Sequence, residues 1–433
     1  MKSISPDYSQ TLSIFSRTRL NTLADQGLGI SLILLLFSLP MAYITAVREI
    51  ALGLAVLFWL IAAVLNRRIL IPKTPLDWPL LAWVGVALLS LLWAVNPAYS
   101  FKEIKGEIIK GLLVFYLVCY GLNREDRLKQ ILLTLIVSNL LMLFWAIWFF
   151  YNEGGLLNDF TVRASSLHSG YGALGTYLVT IFPYFLVGCF SPLLKPYRWV
   201  LWGLVLANLF CIYITFGRAM WLATALETVV VGFFFLRKRT ALILIFGLLL
   251  FLVLFIPKTV WFHNERLPSA PGISSQTVGG TGGDLIDVWR LSFSHLMDRP
   301  LQGIGFGRNS FSEFFKDFRA QHQPLLWHAH NTFLNLYFQT GLQGLIVFLW
   351  LVWSTLYALF QRSKEGVSSW SGMFSLAGAI MVLGFFSRNF FDDFYVDDNA
   401  LLFWYLVGAG LSGVTWPRGN LTGSLPSDKR RKD

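Results

Sequence analysis

Residues 129–151 read KQILLTLIVSNLLMLFWAIWFFY, and after Lys129 no charged residue interrupts the run. A membrane-spanning helix needs roughly 17–25 mostly apolar residues, so this stretch can cross a bilayer. The same rule marks segments near 28–46, 49–66, 77–95, 107–122 and 168–190 on either side of it. Further along it marks 198–216, 219–236, 240–257, 331–360, 367–388 and 399–416. The expected fold class is all-α: a polytopic integral membrane protein of about twelve transmembrane helices with one large, partly helical loop.

Composition agrees. Of 433 residues, 55% are hydrophobic and 14% charged, against about a quarter charged in soluble domains. The 35 Lys+Arg exceed the 24 Asp+Glu, for a net +11. That excess sits in short clusters between apolar runs and not on one face of a soluble domain, so no nucleic-acid partner is expected. Arg17 and Arg19, Arg67, Arg68 and Lys73, and Arg124, Arg127 and Lys129 fall on one side of the membrane. Lys195 and Arg198, Arg237 to Arg239, Arg362 and Lys364, and Lys429 to Lys432 fall on that same side. The positive-inside rule then puts both termini in the cytoplasm, with an even number of spans.

The organisation that follows is 1–257 for helices one to nine, 258–330 for the large loop, 331–416 for helices ten to twelve, and 417–433 for a basic cytoplasmic tail. Cys119, Cys189 and Cys211 lie inside apolar runs and form neither a disulfide framework nor a metal-ligand spacing. No short apolar region with a small-residue cleavage site opens the chain, so the first span is expected to act as its own insertion signal.

The large loop opens with a Gly/Ser/Pro-rich strap from Ser269 to Gly283. Asp284 can cap a helix, DLIDVWRLSFSHLMDR, with Leu285, Trp289, Phe293 and Leu296 on one face. After Pro300 the turn-rich link GIGFGRN leads to a second short helix capped by Asn309. Its stripe of Phe311, Phe314, Phe315 and Phe318 is expected to lie on the membrane or the bundle, not on a cofactor. GIGFGRN follows a loop helix and is not read as a nucleotide loop, so no nucleotide partner is expected. At 101–111, FKEIKGEIIKG reads either as an interfacial helix or as a charged helix end reaching the headgroups.

The densest chemistry is WHAHNTFLNLYFQTGLQG at 327–344. His328 and His330 sit where the loop enters a span, and Asn331 or Thr332 can cap the helix that follows. Gly341 and Gly344 would let a neighbouring helix approach closely. The partial positive charge of a helix N-terminus disfavours an imidazolium, and a neutral imidazole is what a general base needs. His330 is therefore the candidate catalytic base, with His328 and Asn331 as supporting neighbours. Arg218, in ITFGRAMW, and Arg290, in DVWRLSF, face the same aqueous side. Two planar, permanently charged forks suit a diphosphate. Glu227 lies within a span, either as a functional carboxylate or as a partner of another polar group in the bundle. Asp392, Asp393, Asp397 and Asp398 are expected to form a solvated turn and not a cation site. No metal and no cofactor are expected.

The pattern His330-Asn331, then Gly341 and Gly344, resembles the signature of O-antigen ligases. These share a superfamily with O-antigen polymerases and bacterial O-oligosaccharyltransferases. Arg218 and Arg290 also match the family's two arginine positions, and the topology resembles the family's throughout. The resemblance implies a metal- and ATP-independent, inverting glycosyl transfer at the periplasmic face of a bacterial inner membrane. The donor would be O-antigen polysaccharide on undecaprenyl diphosphate, and the acceptor a hydroxyl of the lipid A–core. Arg218 and Arg290 would hold the diphosphate and His330 would take the hydroxyl proton. The alternatives are an O-antigen or exopolysaccharide polymerase on the same donor, a protein O-oligosaccharyltransferase, and a transporter of lipid-linked glycan. A transporter is expected to show internal repeats, broken spans and midplane charges. No clear repeat is visible here, and the charges gather at one face.

Overall fold

A computed structural model describes residues 8–67, 71–159, 161–168, 170–236, 289, 292–293, 296–316 and 328–413, with side chains from residue 18 onward. The expected span at 240–257, the strap at 269–283, Leu285, Arg290, Phe318 and the basic tail lie outside those residues. The described residues contain α-helices, short 3-10 turns and one π-helical turn, with no strand among them. Eight helices are long and apolar enough to cross a membrane. Among the described residues the fold is accordingly all-α, consistent with a multi-pass membrane protein.

The helices run α1 Tyr8–Ser38, α2 Thr45–Leu65, α3 Asp77–Leu89, α4 Pro97–Glu103, α5 Lys110–Gly121, α6 Glu125–Asn152 and α7 Gly170–Phe190. They continue as α8 Arg198–Ile214, α9 Arg218–Phe235, α10 Asn309–Phe314, α11 Thr332–Ser363, α12 Trp370–Asn389 and α13 Asp397–Leu411. Most boundaries lie within a few residues of the hydrophobic segments. The first helix does not: it begins at Tyr8, well upstream of the apolar run, because nothing in the polar stretch before residue 28 breaks it. The amphipathic piece at 101–111 is likewise part of a longer helix. Asn96 accepts from the Tyr99 N–H at 3.1 Å and starts α4, a π-helical turn spans Ile104–Ile109, and α5 carries on from there.

The centre is formed by α7 and α12, together with the shorter α13, which is buried from Asn399 to Leu411. In α7 94% of the apolar window is buried inside the protein and in α12 83%, against at most 44% in the other spans. α12 packs on α7, α9 and α11, while α7 also packs on α8 and α9. The peripheral helices leave Trp199, Trp353 and Val64 exposed, as lipid-facing surfaces do. Glu227 of α9 is fully buried against α12: a Cβ added at Gly384 would lie 1.7 Å from its Oε1. Both Glu227 oxygens lack a hydrogen-bond partner among the described residues, so no pairing partner is found for it there.

α11 is not one straight span. At 32 residues a continuous helix would measure about 48 Å, well beyond a hydrocarbon core of about 30 Å. The chain breaks at Gly341, whose φ of 75° and ψ of 179° are non-helical. Only glycine takes up that conformation readily. The break frees carbonyls that the link before α10 then uses: Ile304 N–H donates to Phe338 O at 2.8 Å and Gly305 N–H to Gln339 O at 3.2 Å. The sequence reading of Gly341 and Gly344 as a helix-approach surface is therefore corrected. The Leu301 backbone, in a turn and not a helix, lies against Gly341, and the nearest group at Gly344 is the Thr340 side chain.

Candidate active site

The site is built where the 328–331 segment, the link before α10 and the 390–396 turn meet, at one end of the bundle. His330 adopts φ 49°, a left-handed conformation costly for a residue with a Cβ, and so turns the chain into α11. Three contacts hold it there. The His330 N–H donates to His328 Nδ1 at 3.0 Å. Trp289 Nε1 donates to Ala329 O at 3.0 Å. The Thr332 N–H donates to Asp392 O at 3.1 Å. Asn331, in extended conformation, caps α11 by accepting from the Leu334 N–H at 3.0 Å, as its position in the sequence suggests.

His330 meets Asp392: Nδ1 and Oδ1 are 3.3 Å apart. The other carboxylate oxygen accepts from Arg388 Nη2 at 3.1 Å. Burial pushes the Asp392 carboxyl up. The hydrogen bond from His330 and the charge of Arg388 outweigh that, holding it well below the usual carboxylate range. An ionised Asp392 favours the proton on Nδ1, which leaves Nε2 as the lone-pair nitrogen. His328 is different. Its side chain is 5% exposed against 27% for His330, so His330 is the more accessible of the two. Burial first, then the charge of Arg308, keeps the His328 imidazole well below its ordinary range and hence neutral. Arg308 Nη2 lies 2.5 Å from His328 Nε2.

Asp393 is 3% exposed and accepts from Thr332 Oγ1 at 2.7 Å and from Asn335 Nδ2. Burial raises its pKa, partly offset by Arg308. It pins the 390–396 turn onto the first turn of α11. Asp398 is ion-paired with Arg48. The expectation of a solvated aspartate turn is thus overturned for Asp392, Asp393 and Asp398, which take arginine, threonine and asparagine as partners, while Asp397 is exposed.

His328, His330 and Asp392 each offer one ligand atom, all within 4.8 Å of one another, a group that could hold a metal ion. Sequence spacing does not show it, because Asp392 arrives from the turn after α12. Two guanidinium groups oppose a cation there: Arg308 sits on His328 and Arg388 on Asp392.

The predicted helix face of the large loop is partly corrected. Trp289 is half-buried, Leu296 is 3% exposed and Phe293 is 60% exposed, so the docked face runs through Trp289, Ser292 and Leu296. In α10, Phe311 is buried against Phe315 and Phe338, which places Phe311 and Phe315 on the bundle, whereas Phe314 is 40% exposed. Asn309 is the first residue of α10, not its cap.

Arg218 is exposed on the first turn of α9. A Cβ added at Gly175 of α7 would meet Met220 in the first turn of α9, and one at Gly172 would meet Phe394 of the 390–396 turn, so the starts of α7 and α9 lie at the end of the bundle that carries that turn. Arg218 therefore lies at the same end as Arg388 and His330. Arg290 is outside the described residues. Arg308, Arg388 and Asp392 are absent from the sequence-derived site. The i,i+4 spacing of Arg388 and Asp392 at a helix end is a signal for their pairing with each other, though not for their meeting with His330.

Residues 203–349 match the family described as O-antigen ligase. The matched stretch contains Arg218, Arg290, His330 and both α11 glycines, and it ends before Arg388 and Asp392. No curated protein matches the chain. The O-antigen ligase match agrees with the resemblance read from the His330 pattern and supports a membrane enzyme of the ligase and polymerase superfamily acting on lipid-linked glycans.

Proposed function

We propose that the chain is an O-antigen ligase that transfers polysaccharide from undecaprenyl diphosphate to a lipid A–core hydroxyl. The reaction takes place at the periplasmic face of a bacterial inner membrane, with both termini cytoplasmic. The observation that carries this reading is the Asp392–His330 pair, with the more exposed of two histidines as the base, inside or next to the segment that matches O-antigen ligases.

His330 Nε2 takes the proton of the acceptor hydroxyl as that oxygen bonds to the anomeric carbon. The bond from that carbon to the diphosphate oxygen breaks, and undecaprenyl diphosphate leaves with the electron pair. In-line attack inverts the anomeric centre. Asp392 holds the ring and stabilises the imidazolium that forms, while Arg218 and Arg290 bind the departing diphosphate and neutralise its charge. The sugar–diphosphate bond supplies the free energy, so no nucleotide or cofactor enters.

Deleting the gene and examining lipopolysaccharide together with the lipid-linked pool tests the assignment. Long polymer left on undecaprenyl diphosphate with bare lipid A–core is the expected result. Accumulation of single repeat units would identify a polymerase and overturn the ligase reading. Unattached chains alongside normal lipopolysaccharide but unglycosylated protein would point to an O-oligosaccharyltransferase instead. For topology, Thr161→Cys and Lys364→Cys in a variant lacking Cys119, Cys189 and Cys211 are the probes. A membrane-impermeant thiol reagent in outer-membrane-permeabilised cells should label the first only, and the reverse would move the site to the cytoplasm.

A further inference from the structure

We propose that Arg388 is a positioning residue for His330, acting through Asp392. The inference deepens the general-base reading above and rests on it. Arg388 ends α12 and is 2% exposed. Its Nη2 fixes Asp392 Oδ2 at 3.1 Å, one helical turn on. Asp392 Oδ1 is then left for His330 Nδ1 at 3.3 Å, and it also accepts the Asp393 N–H at 2.9 Å. With one oxygen held by the guanidinium and the other by a backbone amide, the carboxylate plane is set before the ring meets it.

The guanidinium is itself held in place. Its central carbon lies 4.9 Å over the Phe394 ring, a cation–π distance. The Phe394 N–H donates to Asn389 Oδ1 at 2.7 Å, so the residue after Arg388 anchors the ring on which Arg388 stacks. Nε and Nη1 are buried with no hydrogen-bond partner among the described residues. A half-paired buried arginine is a poor stabiliser. Its placement is accounted for by the charge it presents to Asp392.

The charged and titratable groups facing this pair come from each packed element. Asp392 belongs to the 390–396 turn and Arg388 to α12. His328 comes from the segment before α11, with Nε2 3.9 Å from Asp392 Oδ1, and Arg308 from the link before α10, through His328. Removing Arg388 takes away the only positive group bonded to Asp392 among the described residues other than histidine. The uncompensated carboxylate should then favour the imidazolium at His330, and the acid limb of the rate profile should move to higher pH.

The experiment uses full-length Arg388→Gln, Arg388→Lys and His330→Ala, purified and assayed with lipid-linked donor and lipid A–core acceptor. Arg388→Gln should lower kcat by up to about 100-fold, the cost of misplacing a reacting group by an ångström or so. Donor KM should stay near wild type, and the acid limb should shift upward. Arg388→Lys, which keeps the charge without the fork, should recover part of kcat and leave the limb in place. A loss carried by donor KM with an unmoved limb would overturn the inference and make Arg388 a donor ligand. If Arg388→Gln fails to accumulate, a Lys variant impaired only in donor KM overturns it equally, whereas one impaired only in kcat supports it. An active His330→Ala would sink the general-base reading itself. An inactive one, beside a wild-type profile for Arg388→Gln, sinks this inference alone.

Discussion

The Asp392 carboxylate approaches His330 at Nδ1, 3.3 Å away, while His328, two residues earlier, turns its own Nδ1 to the His330 backbone at 3.0 Å. One histidine ring is thus oriented by a carboxylate, and the other's Nδ1 is engaged in shaping the backbone. His330→Ala should lower kcat by about 10²–10⁴-fold, the usual worth of general-base catalysis, with normal insertion. Asp392→Asn should cost a similar order, since an amide can stabilise the wrong ring tautomer. Steady-state turnover of purified variants checks both, and near-normal rates in either would remove that residue from the mechanism.

His328 predicts a different phenotype, in stability. Its imidazole is held neutral, chiefly by burial and then by Arg308. His168, buried at the start of α7, is lowered to about 4 by burial and by Arg48. In both, the folded pKa lies below the unfolded one, so on acidification the unfolded chain takes up protons that the folded chain refuses. Their contribution is fully present above the ordinary imidazole pKa of about 6.5 and is lost as pH falls below it towards the folded values. The Tm in detergent should fall from pH ~7 to ~5. In the His168→Asn/His328→Asn double variant, which cannot titrate there, the fall should be shallower. An unchanged slope would mean that neither group is linked to folding.

The spans were legible because lipid imposes length and apolarity on each helix independently, as in 129–151, which lies inside α6. His330 was legible because its partners Asn331 and Gly341 are close in sequence. Arg388 and Asp392 were not, since they reach His330 only when α12 and α11 pack together, a contact that no local spacing encodes. The Asp-rich turn reads as solvated because four carboxylates in seven residues would ordinarily repel and seek water. Burial of Asp393 instead depends on Thr332 and Asn335, donors far away in the chain. The break at Gly341 was hidden for a related reason: a span pattern records where apolar residues fall, not whether the backbone between them stays helical.

Packing of α9 on α12 gives a test inside the membrane. A Cβ at position 384 would lie 1.7 Å from Glu227 Oε1, a distance that forces movement. Gly384→Ala should therefore destabilise by about 1–3 kcal/mol, the range for overpacking a core. Glu227→Ala, which removes the obstructing carboxyl, should relieve most of that penalty in the double variant. Thermal unfolding of the four proteins in one detergent closes the cycle, and additive losses would show that the two side chains do not meet.

The diphosphate role predicts that Arg218→Lys and Arg290→Lys both fail despite keeping their charge. A lysine offers a compact point charge where a guanidinium offers a fork matched to phosphate oxygens. Loss of one charge-assisted contact should weaken donor binding by roughly 10–100-fold, read as a change in the dissociation constant for lipid-linked donor. Unchanged affinity and turnover in both variants would free these arginines from the donor site and shift attention to Arg308, which is partly exposed beside His328.

The last prediction separates the general base from a metal. His328, His330 and Asp392 are close enough together for a cation, yet Arg388 bonds the same carboxylate and Arg308 contacts the same imidazole. A divalent ion would have to displace both guanidinium groups or sit beside them, and at about 4 Å even one unlike-solvated pair of positive charges repels by several kcal/mol near a protein surface. Transfer in detergent should therefore persist in excess EDTA and without nucleotide, and added zinc should inhibit rather than activate by capturing His330. The rate should fall on acidification as the base is protonated, and EDTA should leave that profile unchanged. If EDTA stopped transfer and a divalent cation restored it, the three residues would be ligands. His330 would then lose its role as base, and the arginines would be read as groups that move aside when the ion binds.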